Sequence, residues 1–210
     1  MARDVKIDRG QITGILSPLL EMWRLTKVRN HIVGDCILDF GCGYGKLAKE
    51  IPEMYYIGVD IDEDVLESAK TLNKTTTRTY FYNVNQSEWR SYYKFDTIIL
   101  AAVIEHFDNP KKLLIYLNNF LKPNGRIIIT TPTPNAGIVL TIGSKLGLFS
   151  REALEEHKSL LNESYFVDLS DTIGLMLEKY ETFEFGLNQL IVYKNLGGRS
   201  LQDTDNSASS

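Results

Sequence analysis

Gly41, Gly43 and Gly45 stand at alternate positions in the stretch ILDFGCGYGKLAKEI, residues 37–51, two residues after Asp39. Glycine tolerates positive φ and, lacking a side chain, lets a ligand lie close to the backbone. Alone, the pattern also fits a tight turn from a strand into a helix. A second acid sharpens it. Asp60 ends the apolar run YYIGVD, nineteen positions after Gly41. A carboxylate at the end of a second strand can accept hydrogen bonds from both hydroxyls of a ribose. The other use of an acid there is to cap the next helix, but Asp62 is better placed for that. Together the glycines and Asp60 imply an adenosine-type cofactor. The nicotinamide fingerprint G-x-G-x-x-G is not met, because Lys46 stands where its third glycine would be. The chain also has no Tyr-x-x-x-Lys pair, which counts against a short-chain dehydrogenase.

This chemistry needs a strand before the loop, a helix after it and a second strand beside the first. Strand patterns fall at 36–40, 55–60, 79–83, 97–101 and 126–131. Helix patterns alternate with them at 44–51, 63–72 (capped by Asp62) and 110–121 (capped by Asn109). Alternation of this kind means βαβ units on a parallel sheet with helices on both faces. Near-continuous apolar runs such as FDTIILAAV fit strands buried on both faces. Ahead of the first strand, residues 12–33 carry helical spacing, with Ser17 placed to cap and Pro18 to take the first helical position. Beyond Pro134 the period loosens. A helix is expected at 170–180, then strands at 181–185 and 188–194 joined at Gly186-Leu187 as a hairpin.

The formal net charge of −4 offers no basic face to phosphates, so nucleic acid is not an expected partner. The two cysteines, Cys36 and Cys42, make neither a disulfide framework nor a zinc site, which points to a reducing, cytoplasmic setting. The start, MARDVKIDRGQ, is polar and has no signal-peptide core. No apolar run approaches the ~20 residues that span a bilayer, so no transmembrane segment is expected.

The segments ILDFGCGYG, GVDI, FYNV, FDTIILAAVIEHFDNP and LKPNGRIIITTPTP, in that order, resemble the motifs of class I S-adenosylmethionine (SAM)-dependent methyltransferases over roughly residues 24–194. The resemblance implies a Rossmann-like, doubly wound α/β fold with a seven-stranded sheet whose last strand is antiparallel. SAM would be the cofactor and S-adenosylhomocysteine (SAH) its product. By the same resemblance Gly41, Cys42 and Gly43 line the cofactor, while Asp39 orients the loop and reaches the amino group of the methionine part. Asp60 holds the ribose, Ile61 packs on the adenine and Ala101 lies beside the methyl group. Arg24 falls near where a related family's arginine meets the SAM carboxylate. The family's usual acid after the third strand is replaced by Asn83. Its amide oxygen could still accept from the adenine amino group, with the Val84 amide donating to the ring.

The run AAVIEHFDNP resembles the E-x-x-E-H segment of ubiquinone-pathway O-methyltransferases, where two acids and a histidine can hold a divalent metal. Ala102 replaces the first acid, leaving Glu105 and His106, too few for a good site, so no metal is expected. His106 is then a candidate general base. A second candidate, His157, lies in EEHKSLLNESYF, close to a pattern in methyltransferases resembling glycan-cluster enzymes. The expected layout is an N-terminal helical cap (1–34), a methyltransferase domain (35–196) with an acceptor lid at 135–166, and a disordered tail (197–210). The expected activity moves a methyl group to an oxygen or nitrogen of a small molecule. That acceptor could be a sugar, a cell-envelope glycan precursor or a quinone-like phenol. An NAD-dependent oxidoreductase and a non-catalytic SAM-binding module stay open as alternatives, and the sequence does not fix an oligomeric state.

Overall fold

The computed structural model describes residues 17–91, 94–136 and 161–197. His157, most of the expected lid and residues 198–210 lie outside the described residues. In chain order the elements are α1 (Ser17–Arg29), β1 (Cys36–Phe40), α2 (Lys46–Glu50), β2 (Tyr55–Asp60), α3 (Glu63–Leu72) and β3 (Thr79–Asn83). Then follow β4 (Phe95–Ala101), α4 (Pro110–Asn118), β5 (Leu121–Pro132), α5 (Glu163–Ile173), β6 (Met176–Phe183) and β7 (Asn188–Lys194). Short 3₁₀ turns occupy Glu88–Ser91 and Ile104–His106.

The strands form one seven-stranded sheet in the order β3-β2-β1-β4-β5-β7-β6. β1 to β5 run parallel, and β7 is antiparallel to both its neighbours. Strand order reverses between β1 and β4, which opens a crevice at their carboxyl ends, where open α/β sheets bind ligands. The period-two alternation of the strands sorts the core into two layers. Leu38, Ile98, Leu100, Ile127 and Ile129 face α4 and α5, packing with Leu114, Leu117 and Phe166. Ile37, Tyr56, Ile99 and Ile128 face the other way, against Val28 of α1, Leu47 and Ala48 of α2, and Leu66 and Ala69 of α3. Asp62 caps α3 by accepting from the amides of Asp64 and Val65, and Asn109 caps α4 by accepting from Lys112.

Several boundaries differ from the sequence expectation. α2 begins at Lys46 rather than Tyr44, because Gly45 takes the left-handed conformation at φ 64. α4 stops at Asn118, since Phe120 and Leu121 are drawn into the sheet, where the Phe120 carbonyl accepts from the Phe95 amide at 2.7 Å. The helix expected at 170–180 is two elements. Asn162 caps α5, Gly174 ends it at φ 67, and residues 176–183 are a strand. Within the stretch expected as a lid, Leu161 and Phe166 are buried in the core. Among the described residues no helix is long and apolar enough to cross a membrane.

Candidate active site

A cleft of ≈ 1270 Å³ opens at the carboxyl ends of β1, β2 and β4, rimmed by α1. Small-molecule pockets usually measure about 300–1,000 Å³, so this cleft is large enough for a nucleoside-sized ligand.

The glycine loop forms its floor. The amides of Gly41 and Cys42 both donate to the Val59 carbonyl, at 2.8 and 3.0 Å, and the Gly43 amide donates to Asp60 Oδ2 at 2.9 Å. Three consecutive loop amides are thus fastened to β2. Gly41 has φ 81, and a β-carbon there would lie 2.4 Å from Val103 Cγ2, so both conformation and space demand glycine. Gly43, at φ 51, would meet nothing within 4 Å, leaving its open side to the cleft it lines. Cys42 is no nucleophile. Burial, with Asp39 and Asp60 close by, pushes its thiol well up.

Asp39 is only 5% exposed yet lines the cleft. Its Oδ2 accepts from the Tyr56 hydroxyl at 2.5 Å, and its Oδ1 is buried with no partner. Burial pushes its carboxyl up to about 6, opposed by the Tyr56 hydrogen bond and aided by the charge of Asp60. Asp60 is half-buried at the end of β2, and its Oδ1 accepts from the amides of Ile61 and Asp62 at 2.7 and 3.2 Å. With the Gly43 amide on Oδ2, three of roughly four acceptor positions are in use, and the carboxylate is held facing the cleft it lines.

Beyond Asp60 the exposed Ile61 and the half-buried Val84 line the cleft, and Asn83 is not part of its lining. The Asn83 amide nitrogen donates to the Ile61 carbonyl at 3.1 Å, and its oxygen accepts from the Asn85 amide at 2.9 Å. The backbone amide of Val84 donates to the Asp60 carbonyl at 2.8 Å. Both groups are used inside the fold to build the turn after β3.

At the β4 end, Ala101, Ala102, Val103, His106 and Phe107 line the cleft. Ala102 holds φ 57, uncommon for a residue with a side chain, while its amide donates to the Thr130 carbonyl at 2.8 Å. The 3₁₀ turn then sends its two polar residues apart. Glu105 is buried and accepts from Thr131 Oγ1 at 2.9 Å, whereas His106 is exposed on the cleft. No group of three His, Cys, Asp or Glu that could hold a metal ion occurs among the described residues.

Arg24 of α1 lines the cleft, and its Nε is buried without a partner. Its charge acts on Glu184, whose carboxyl is pushed up by burial and held back by Arg24 and by a hydrogen bond from the Asn188 amide. Lys46 and Glu21 pair across the rim at 2.5 Å, tying α2 to α1. The structure therefore brings Arg24, Asp39, Gly41, Cys42, Gly43, Asp60, Ile61, Val84, Ala101 and His106 to one cleft and leaves Asn83 behind it. Sequence reasoning missed Tyr56, Glu21 and Glu184. Tyr56 was open to discovery, because β1 and β2 pair with Asp39 opposite Gly58, and Tyr56 lies on the same face of β2 as Gly58. Glu184 carried no local signal.

A family described as a methyltransferase domain matches residues 15–179. The ubiquinone biosynthesis O-methyltransferase of Dictyostelium discoideum is 30% identical over 115 residues, 45% of this chain and 34% of that protein. The enzyme of the same name from Rickettsia felis is 30% identical over 111 residues, 51% of this chain and 46% of that one. The chain thus spans about a third to a half of the length of these two curated relatives. A malonyl-[acyl-carrier protein] O-methyltransferase of Ilyobacter polytropus is 26% identical over 150 residues, covering 69% of this chain and 54% of that protein. Among solved structures, magnesium protoporphyrin IX methyltransferase from Synechocystis PCC 6803, with bound SAH, superposes with a TM-score of 0.65 at 16% identity, over 92% of this chain and 90% of that one. A SAM-dependent methyltransferase from Archaeoglobus fulgidus gives 0.65 at 19%, over 85% and 94%. At these identities the structures speak for the fold alone. With the family match running from α1 into β6, over a stitched glycine loop and an acid at the end of β2, the chain belongs to the methyltransferase-domain family, in its class I, SAM-dependent form.

Proposed function

We propose that this protein transfers the methyl group of SAM to a hydroxyl oxygen of a small, phenol-like acceptor. The observation that carries the reading is the placement of His106, an exposed imidazole on the cleft beside the end of β4. SAM brings an already activated methyl on a sulfonium, so the chain must supply alignment, a dry wall and a destination for the acceptor proton. Asp60, held by three backbone amides, keeps one acceptor position for a ribose hydroxyl. Asp39 Oδ1, orphaned and buried, fits the cofactor ammonium, and the open face of Gly43 admits the cofactor against the backbone. Ile61 and Val84 flank the adenine, with Asn83 shaping the turn behind them. Arg24 is placed for the cofactor carboxylate. His106 takes the acceptor proton, a task suited to an imidazole placed on the cleft. Phe107 and Tyr44 give the cleft aromatic walls, which favours a ring over a flexible sugar. The O-methyltransferase names of the ubiquinone-pathway relatives support an oxygen acceptor.

A screen of hydroxylated aromatics, sugars and amines with SAM, read by SAH release, tests the acceptor class. Turnover of phenols is expected, and turnover confined to amines or sugars would overturn it. Placement of the cofactor is tested by Asp60→Ala. Lost charge-assisted bonds cost ~1.5–3 kcal/mol each, so SAH affinity should fall at least ~10-fold by calorimetry. An unchanged affinity would refute the assignment.

A further inference from the structure

Asp39 on β1 and Tyr56 on β2 form a buried pair that the cofactor-binding role of Asp39 does not by itself explain. Tyr56 is fully buried, with its ring against Phe81 at 5.8 Å between centroids. Its hydroxyl reaches diagonally across the strand pair to Asp39 Oδ2, past Gly58, which stands opposite Asp39. This fixes the carboxyl plane and leaves the buried Oδ1 as the oxygen without a partner, on a residue that lines the cleft.

We propose that Tyr56 is a positioning residue for the cofactor, fixing Asp39 so that its free oxygen meets the cofactor ammonium, and that capture of the amino-acid arm is linked to loss of a proton from Asp39. The proposal rests on the reading above that Asp39 meets that ammonium. A buried carboxyl with a single hydrogen bond holds its proton more tightly than one in water. The groups acting on it are Tyr56 and Asp60 of β2 and Cys42 of the loop. Tyr56 and Cys42 are both pushed well up by burial, so they stay neutral while Asp39 titrates near 6.

The sign follows from the direction of that shift. Below about 6 Asp39 is a neutral acid and a poor partner for an ammonium; above it, the carboxylate is free to pair. Affinity should therefore rise with pH through that value. Without cofactor the raised pKa works against the fold. Its contribution to stability is largest at low pH and is lost as pH rises from the unfolded value of ~3.9 to about 6.

The test compares SAH with 5′-methylthioadenosine, which keeps the adenosine and sulfur but lacks the amino-acid arm, by calorimetry at pH 5 and pH 7. For a group titrating near 6 in the free protein, SAH should bind ~10-fold more weakly at pH 5 than at pH 7, while 5′-methylthioadenosine binds alike at both. Tyr56→Phe keeps the ring and removes the hydroxyl. Asp39 should then titrate higher, weakening SAH several-fold at pH 7 and leaving 5′-methylthioadenosine within about twofold, which also shows that the variant is folded. Asp39→Asn should bind SAH weakly and without pH dependence. An unchanged SAH profile in Tyr56→Phe would overturn the role of Tyr56. The same pH dependence for 5′-methylthioadenosine would overturn the link to the ammonium. Failure of folded wild-type protein to bind either ligand would instead overturn the cofactor reading beneath it.

Discussion

At the β1–β2 end of the cleft, the amides of Gly41, Cys42, Gly43, Ile61, Asp62 and Val84 all donate within the fold, and the Asp60 carboxylate collects three of them. At the β4 end, and where α1 meets the β6–β7 turn, the groups are looser. His106 is exposed, and Arg24 Nε, Glu184 Oε1 and Asn188 Oδ1 are buried without partners. One half is a backbone network tied down by a parallel sheet; the other draws its polar side chains from separate elements, with Glu184 and Asn188 buried and not lining the cleft. The first is suited to a constant ligand and the second to a variable one.

Two glycines with nearly the same φ sharpen this contrast most. Gly41 sits at φ 81 and Gly186, in the β6–β7 turn, at φ 80, but an added β-carbon meets Val103 at 2.4 Å at the first and nothing at the second. Gly186→Ala should cost ~1–2 kcal/mol, for the left-handed backbone alone. Gly41→Ala adds overpacking of ~1–3 kcal/mol, for a total of ~2–5 kcal/mol, read from urea denaturation. Equal costs would show that the floor of the cleft is no more rigid than the hairpin turn.

The next effect tests the β4 end through chemistry. His106→Ala should lower kcat by ~10²-fold if the imidazole takes the acceptor proton, leaving SAH affinity within a few-fold. A change confined to KM for the acceptor would reduce His106 to a wall of the pocket. The smallest effect belongs to the rim. Glu21 and Lys46 are both more than a third exposed, and such pairs contribute ~0–1 kcal/mol. Lys46→Ala should shift stability by less than ~1 kcal/mol, and less still in high salt. A loss of SAH affinity beyond a few-fold would mean that Lys46, which lines the cleft, touches the cofactor itself.

How much was legible in the sequence follows the same division. Strands β1, β2 and β3 appear at their expected residues because each is a short apolar run between clear breakers, and α3 does because Asp62 caps it. The cofactor end is readable since its residues are local, within the 39–45 stretch and at Asp60. The turn of residues 176–180 from expected helix to strand shows the limit. Along this edge strand the alternation of partly buried and exposed side chains breaks at Lys179, Tyr180 and Glu181, beside a shift of register, so the pattern is weak and pairing with β7 decides it. Asn83 and Val84 show another limit. Residue type suggested contacts to an adenine, but a turn needs its own hydrogen bonds first, and both groups are used there. Glu184 and Arg24 lie 160 residues apart in the chain, and only the fold makes them neighbours.

The stitching of the glycine loop to β2 also has a consequence in time. A loop whose first three amides are bonded to the neighbouring strand does not wait for a ligand to take its shape. Its ordering entropy is spent once, when the sheet forms, and not again at each encounter. The floor of the cleft is therefore in place before any ligand arrives, and binding there does not include the cost of folding the loop.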